Sequence, residues 1–186
     1  MSKGNSGLFS GTLGTTYINS SSRETSYADR GIDVPEHIQN ALMQLKEPGD
    51  FIKTDRTGFS MTDASIMSKE TGVEFARVSI GSDTYIIRGT AKGTVIPESL
   101  MQKIKENKGT LDFHSHPHND DLVPSFTDRK IVKQLKKLTG QQYSTIVTPN
   151  GRTATFSEKG VIETGIVHNT INEDLKKLYY EIFGGK

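Results

Sequence analysis

The sequence has no cysteine and no tryptophan, and its 23 basic and 22 acidic residues leave a net charge of +1. Without cysteine, the chain can form no disulfide, no thiolate nucleophile and no cysteine-ligated zinc site. The near-neutral charge creates no overall field that favours nucleic acid or an anionic membrane, so neither is expected as a partner. A metal site in this chain would have to use His, Asp or Glu.

Long apolar segments are also missing from the sequence. No stretch approaches 18 apolar residues, and the N-terminus has no apolar signal core. These absences predict a soluble protein that has no membrane partner. They leave its location open between the cytoplasm and secretion as part of a larger effector.

Composition divides the chain near residue 33. Sixteen of the first 33 residues are Gly, Ser or Thr, and such a segment buries too little apolar surface to offset the entropy of ordering. We therefore expect residues 1–33 to be a flexible lead-in and residues 34–186 to form one domain.

Hydrophobic periodicity and turn residues predict an alternation of helices and strands in the folded part. The expected helices are 35–46, 60–72, 97–109, 125–138 and 171–183, and the expected strands are 73–80, 84–88, 94–96, 110–116, 143–148, 153–156 and 161–167. This alternation predicts an α/β fold in which helices pack on a mixed β-sheet.

The segment His114-Ser115-His116-Pro117 is the first chemical signal. Side chains alternate along a strand, so His114 and His116 are expected to project from the same face and to converge on one metal ion. Leu111 and Phe113 are expected on the opposite face, where they would anchor the strand in the core.

Ser125-x-x-Asp128 has two interpretations. At a helix start, this spacing is that of a capping box, which by itself would explain both residues. The first turn of a helix that follows the histidine pair can also deliver the Asp128 carboxylate to the same metal. Two His and one Asp would leave a fourth tetrahedral position open for water, as catalytic zinc requires.

Glu74 is the candidate proton acceptor. On a strand, it lies at the end of an apolar stripe formed by Ala76, Val78 and Ile80, where a carboxylate is costly unless it is paired or functional. The alternative is that Glu74 lies at a frayed strand end and reaches water. Glu70, four residues earlier, is expected to be a solvated residue at a helix end.

Together, these residues resemble the motif of the JAMM/MPN+ (JAB) zinc metalloproteases over about residues 60–150. The family has a strand-borne Glu, His-x-His-Pro, a seven-residue interval and Ser-x-x-Asp, which correspond here to Glu74, 114–117, Ser125 and Asp128. Two departures stand out. Residues 117–124 make the interval one residue longer, and Arg77 replaces a Gly common in the Glu strand. The longer loop makes Asp120 and Asp121 candidate substitute ligands, although the role expected for them is that of an acidic loop rim.

The resemblance implies a single MPN/JAB-like (cytidine-deaminase-like) domain with the activity of a zinc-dependent peptidase or isopeptidase. It implies Zn²⁺ ligation by His114, His116 and Asp128, proton transfer by Glu74, and a hydrogen bond from Ser125 to the oxyanion. The expected substrates are peptides or proteins, with ubiquitin-like conjugates among them.

The Gly/Ser-rich start also resembles segments that join effector domains to bacterial polymorphic toxins or to phage head proteins. A toxin context would add an immunity protein as a partner. The alternative function is a non-catalytic MPN-fold binding or structural module of a phage or secretion system. A metallophosphoesterase would recruit more distant ligands, and only His37, His118 and His168 remain.

The composition of the lead-in generates the first prediction. Limited proteolysis should trim the chain to a core that starts near residues 32–35, and the core should melt at the same temperature as the full chain. The measurement is mass spectrometry of the fragment followed by thermal denaturation. A core that melts more than a few degrees lower would show that residues 1–33 contribute to the stability of the domain.

Overall fold

The computed structural model describes residues 34–55 and 58–167. The predicted lead-in (1–33) and the predicted last helix (171–183) lie outside these residues. The described chain contains, in order, α1 (Glu36–Gln44), β1 (Phe51–Thr54), α2 (Met61–Thr71), β2 (Phe75–Ile80), β3 (Asp83–Arg88), α3 (Glu98–Asn107), β4 (Thr110–Ser115), α4 (Phe126–Thr139), β5 (Ser144–Val147), β6 (Arg152–Ser157) and β7 (Gly160–Ile166). Among these helices, none is both long and apolar enough to cross a membrane.

The seven strands form one mixed sheet in the order β1-β3-β2-β4-β5-β6-β7. Strands β4 and β5 are parallel, and every other neighbouring pair is antiparallel. A parallel pair needs a crossover, and here α4 provides it. The predicted α/β architecture with a mixed sheet is confirmed.

Helices cover both faces of the sheet. The face under α3 and α4 carries an apolar cluster made of Ala76, Val78, Ile80, Tyr85, Ile87, Leu100, Ile104, Leu111, Ile131 and Leu135. Helix α2 packs on the other face, where Phe59 stacks on Phe113 with ring centroids 6.2 Å apart. Complete burial of one such side chain contributes roughly 1.5–3 kcal/mol, so these two layers hold the sheet between them.

One predicted strand is absent, and one observed strand was not predicted. Thr94 to Ile96 do not form a strand, because the chain turns just before them at an isolated bridge between Thr90 and Gly93. The Thr94 hydroxyl donates a hydrogen bond to the Glu74 side chain instead. The four-residue edge strand β1 was not predicted, because it is too short to show a clear alternation.

A β-bulge in β4 corrects the predicted faces of its side chains. Arg77 pairs with Phe113 while the next residue, Val78, pairs with Leu111, so Asp112 is an extra residue on β4. An extra residue reverses the alternation. Leu111 therefore lies on the same face as His114, contrary to prediction, and Phe113 lies on the opposite face as predicted.

The end of α3 requires a glycine for space rather than for backbone conformation. The left-handed residue there is Lys108, with φ of 50°. A Cβ on Gly109 would lie 2.8 Å from the carbonyl oxygen of Ser79 and 2.9 Å from Cγ1 of Ile80. Gly109 therefore allows the start of β4 to approach β2 closely.

This contact generates a stability prediction. Gly109→Ala should lower the free energy of unfolding by about 1–3 kcal/mol, the usual cost of overpacking. Gly93→Ala is the matched control, because a Cβ there meets only the Thr127 side chain at 3.8 Å. Urea denaturation of both variants measures the difference. Equal losses would show that the approach of β4 to β2 is not what requires Gly109.

Candidate metal centre

Strand β4 brings the two histidines together. The strand ends at Ser115, and His116 continues its pairing because its N–H donates to the carbonyl of Val147 at 2.9 Å. Both imidazoles are buried, with 0% and 2% of the residue exposed. Their Nε2 atoms lie 3.1 Å apart, so the predicted convergence of His114 and His116 is confirmed.

Asp128 reaches the histidines from the first turn of α4. Its Oδ2 accepts the backbone N–H of Ser125 at 2.7 Å, and its own N–H donates to Ser125 Oγ at 3.2 Å. Its Oδ1 is buried, has no hydrogen-bond partner and lies 3.5 Å from His114 Nε2. The two interpretations of Ser125-x-x-Asp128 are therefore compatible, because Oδ2 caps the helix 3.6 Å from His116 Nε2 while Oδ1 faces His114.

The capping box of α2 shows what is particular to Asp128. Ser60 and Asp63 make the same two bonds at the start of α2. The side chain of Asp63, however, is 15% exposed and bonds the exposed His37, whereas Asp128 is 1% exposed. The same motif thus forms a surface cap in one helix and a buried charged contact in the other.

Glu74 is buried beside the histidines. Backbone hydrogen bonds with Thr90 (3.0 Å) and Gly89 (2.8 Å) hold it in an extended conformation just before β2. It is 3% exposed, so the interpretation of a frayed strand end in contact with water is wrong. Its Oε1 lies 3.8 Å from His116 Nε2.

Thr94 is a site residue that the sequence analysis missed. Its hydroxyl donates to Glu74 Oε2 at 3.1 Å in a buried position. The turn before Thr94 packs closely on Glu74, since a Cβ on Gly89 would lie 3.2 Å from Glu74 Cβ. Thr94 is β-branched and precedes Val95 and Ile96, a pattern typical of a strand. The sequence therefore gave no indication of its hydrogen bond to Glu74.

The loop after β4 orients His116 and does not supply a ligand. The carbonyl oxygen of Asp121 lies 2.8 Å from His116 Nδ1, and its carboxylate lies 3.3 Å from the same atom. A carbonyl can only accept, so Nδ1 carries a proton and Nε2 is the nitrogen directed towards the centre. Asp120 pairs with Arg152 and its side chain is 92% exposed. Neither aspartate replaces a predicted ligand.

The remaining predicted residues divide between the centre and the surface. Ser125 is half-buried at the start of α4, and its bond from Asp128 N uses a lone pair of Oγ rather than its hydrogen. His118 is exposed and His37 contacts Asp63, so neither joins the centre. His168 lies outside the described residues.

Burial and charge set the protonation of these groups. Burial raises the pKa of Glu74, and the neighbouring His114 and His116 offset only part of this effect. For Asp128, burial acts in the same sense, but contacts from both histidines outweigh it and hold the pKa below its usual range. Burial lowers the pKa of His116, yet the nearby carboxylates of Asp128 and Glu74 raise it overall. The Asp128 carboxylate is thus held ionised, whereas the Glu74 carboxylate is easier to protonate than usual.

The cluster can hold a metal ion. Ligand atoms of Glu74, His114 and His116, all buried, lie within 4.8 Å of one another. Asp128 comes closer to the histidine pair than Glu74 does, at 3.5 and 3.6 Å against 3.8 Å.

Comparisons with protein-family models, with curated proteins and with solved structures found no match to this chain. Inferences about function therefore rest on the geometry and the electrostatics of this centre.

The two capping boxes generate a matched prediction about metal binding. Asp128→Asn should weaken binding of added Zn²⁺ at least about tenfold, because it replaces an anionic ligand and disturbs the oxygen that faces His114. Asp63→Asn should lose a similar capping contribution and bind Zn²⁺ like the wild type. The measurement is Zn²⁺ titration of chelator-treated protein, with melting temperatures recorded for each variant. Wild-type affinity in Asp128→Asn would remove Asp128 from the ligand set.

Proposed function

We propose that this chain is a zinc-dependent peptidase or isopeptidase of JAMM type. The observation that carries the proposal is the buried Glu74 carboxylate, fixed by Thr94, next to a histidine pair that an ionised Asp128 completes. Amide hydrolysis by a metallopeptidase requires metal ligands and, beside them, a carboxylate that can accept and return a proton.

The ligand distances fit zinc. With Zn–N and Zn–O bonds of about 2.0–2.2 Å, two ligands of a tetrahedral ion lie about 3.3–3.5 Å apart. The observed separations are close to that range: 3.1 Å between the two Nε2 atoms, 3.5 Å from His114 Nε2 to Asp128 Oδ1 and 3.6 Å from His116 Nε2 to Asp128 Oδ2. The unpartnered Oδ1 of Asp128 is also an atom that a bound cation would satisfy.

His114, His116 and Asp128 would hold the zinc, with Asp128 Oδ2 kept in place by the backbone of Ser125. When bound, zinc supplies a Lewis acid that lowers the pKa of a coordinated water towards about 7 and polarises the scissile carbonyl. The carbonyl of Asp121 fixes the orientation of the His116 ring and keeps a proton on Nδ1. The ring therefore already presents Nε2 to the metal before the metal binds.

Glu74 would move the proton. The bond from Thr94 occupies Oε2 and leaves Oε1 on the side of His116. Oε1 can accept a proton from the attacking water and later deliver it to the leaving amine. The raised pKa of Glu74 suits this double role, because a carboxyl group that binds a proton more readily is a better carrier near neutral pH.

Ser125 would stabilise the oxyanion. Its Oγ accepts the N–H of Asp128 with a lone pair, so its hydroxyl hydrogen can still be donated to a negatively charged oxygen. A comparable donor contributes about 3–4 kcal/mol to transition-state stabilisation. Ser125 would thus cap α4 and take part in catalysis.

The order of elements supports an MPN/JAB-like assignment. The family order of helix, Glu strand, hairpin, helix, His strand and Ser-x-x-Asp helix matches α2, β2, β3, α3, β4 and α4. The expected substrate is a peptide or protein amide, and an effector domain of a bacterial polymorphic toxin is the context we propose. In a non-catalytic binding module, nothing would require the costly burial of Glu74.

Substitution of the proton carrier tests this function. Glu74→Gln should retain Zn²⁺ and the wild-type melting temperature while hydrolysis falls about 10²–10⁴-fold, because the amide cannot accept the proton. The assay is turnover of a panel of peptides and isopeptides, or toxicity on expression in a heterologous cell. Glu70→Gln, on the half-exposed end of α2, is the control and should change neither property.

Two results would contradict the proposal. Loss of activity in Glu70→Gln with normal Glu74→Gln would move the base to the end of α2. If wild type binds zinc, no substrate is cleaved and neither variant changes any property, the zinc is structural and the chain is a binding module.

A further inference from the structure

The outer side of α4 carries a basic groove, and the first turn of the same helix carries Asp128 of the proposed active site. The groove has a volume of about 530 Å³, and its lining includes Phe126, Arg129, Lys130, Lys133, Lys137 and Glu158. We call this the α4 surface. Phe126, Lys130, Lys133 and Lys137 recur at intervals of three or four residues, so they follow one stripe along the helix.

The charge of the α4 surface is not neutralised by its surroundings. Arg129, Lys130, Lys133 and Lys137 form no ion pair with any acidic residue in the described part of the chain. Among the described residues of the lining, the one carboxylate is that of Glu158, which pairs with Lys136 at 2.8 Å. Since the whole chain has a net charge of +1, this concentration of cations is a local feature.

Exposed apolar side chains lie at the start of α4 and just before it. Phe126 is 77% exposed and Val123 is 70% exposed, and the two residues flank the pair Pro124-Ser125. Phe126 and the buried Asp128 belong to the same first turn of α4 but point to different sides of the helix. A ligand that covers Phe126 would therefore lie at one end of the cationic stripe, at the helix turn that carries Asp128.

We propose that the α4 surface binds an acidic segment of the protein substrate, with an apolar residue of that segment on Phe126. This inference rests on the proposed function, since it places the scissile amide at the metal end of the groove. From Phe126 to Lys137 the helix rises roughly 16 Å, which about five extended residues span. The acidic residues are thus expected within about five positions of the scissile bond.

An acidic protein segment fits this surface better than a nucleic acid. Single-stranded nucleic acids are held by several aromatic side chains between cations, on which successive bases stack. Among the residues that the structure describes, Phe126 is the one aromatic residue in the lining, and the first turn of the same helix carries Asp128 of the proposed hydrolytic centre. The stripe supplies charge complementarity, which sets specificity and association rate.

The test uses a fluorescein-labelled peptide, Gly-Leu-Gly-Gly-Asp-Glu-Asp-Glu-Asp, and its counterpart with Asn and Gln in place of Asp and Glu. Fluorescence anisotropy measures the Kd of each peptide for the full chain loaded with Zn²⁺. We expect Lys130→Glu/Lys133→Glu to weaken binding of the acidic peptide at least about tenfold. The matched control is Lys69→Glu/Lys105→Glu, which reverses two exposed lysines on α2 and α3 and should change the Kd less than about twofold.

Phe126→Ala should also weaken binding, whereas Met43→Ala, which removes a 63% exposed side chain on α1, should not. Equal losses in the two double variants, or equal binding of the neutral peptide, would overturn the proposal. Tighter binding of a 20-nucleotide oligothymidylate with the same dependence on Lys130 and Lys133 would also overturn it in favour of nucleic acid.

The outcomes separate this inference from the proposed function. If peptides are cleaved and acidic ones are neither bound nor cleaved better, the α4 surface proposal fails while the peptidase stands. If the acidic peptide binds with the expected dependence on Lys130 and Lys133 but no peptide or isopeptide is cleaved, the α4 surface does bind acidic segments. The proposal of a peptidase then fails, and so does the proposal that the acidic segment belongs to a substrate. Glu74→Gln should bind the acidic peptide like the wild type in either case.

Discussion

The structure of the centre depends on the division of one carboxylate between two tasks. Asp128 Oδ2 satisfies the free N–H of Ser125 at the start of α4, and Oδ1 faces the imidazole of His114. A buried carboxylate is costly unless charges and hydrogen bonds compensate it. Because the cap fixes the carboxylate on α4 and the histidines lie on β4, this contact joins the helix to the strand that the rest of the site is built upon.

The histidines occupy the middle of the sheet, between two apolar regions. His114 pairs with Ala76 on one side and with Ile146 on the other, and these two residues belong to separate core clusters. Its ring is nearly perpendicular to that of Phe156, with centroids 5.6 Å apart. The polar centre is therefore surrounded by well-packed side chains, which is the environment that lets nearby charges shift one another's pKa values strongly.

Local patterns predicted most elements because each had a local cause. Ser60 and Ser125 begin helices through capping boxes, and Gly72 and Gly140 end them in left-handed conformations. The same rules failed where the cause was distant. Thr94 looks like a strand residue but its hydroxyl serves Glu74, and the bulge at Asp112 arises from pairing with β2, so neither could be recognised from neighbouring residues.

By itself, the sequence determined most of the elements, the mixed α/β architecture and the position of His114 and His116 on one face of a strand, because periodicity, caps and the His-x-His spacing act within a few positions of the chain. Only the tertiary structure decided that the box of α4 is buried whereas that of α2 is on the surface. It also decided that Glu74 is enclosed and held by Thr94, and that Asp121 contacts the outer nitrogen of His116. These outcomes depend on which distant segments pack together, and burial, not residue type, determines whether a carboxylate is a solvated surface group or part of a reactive centre.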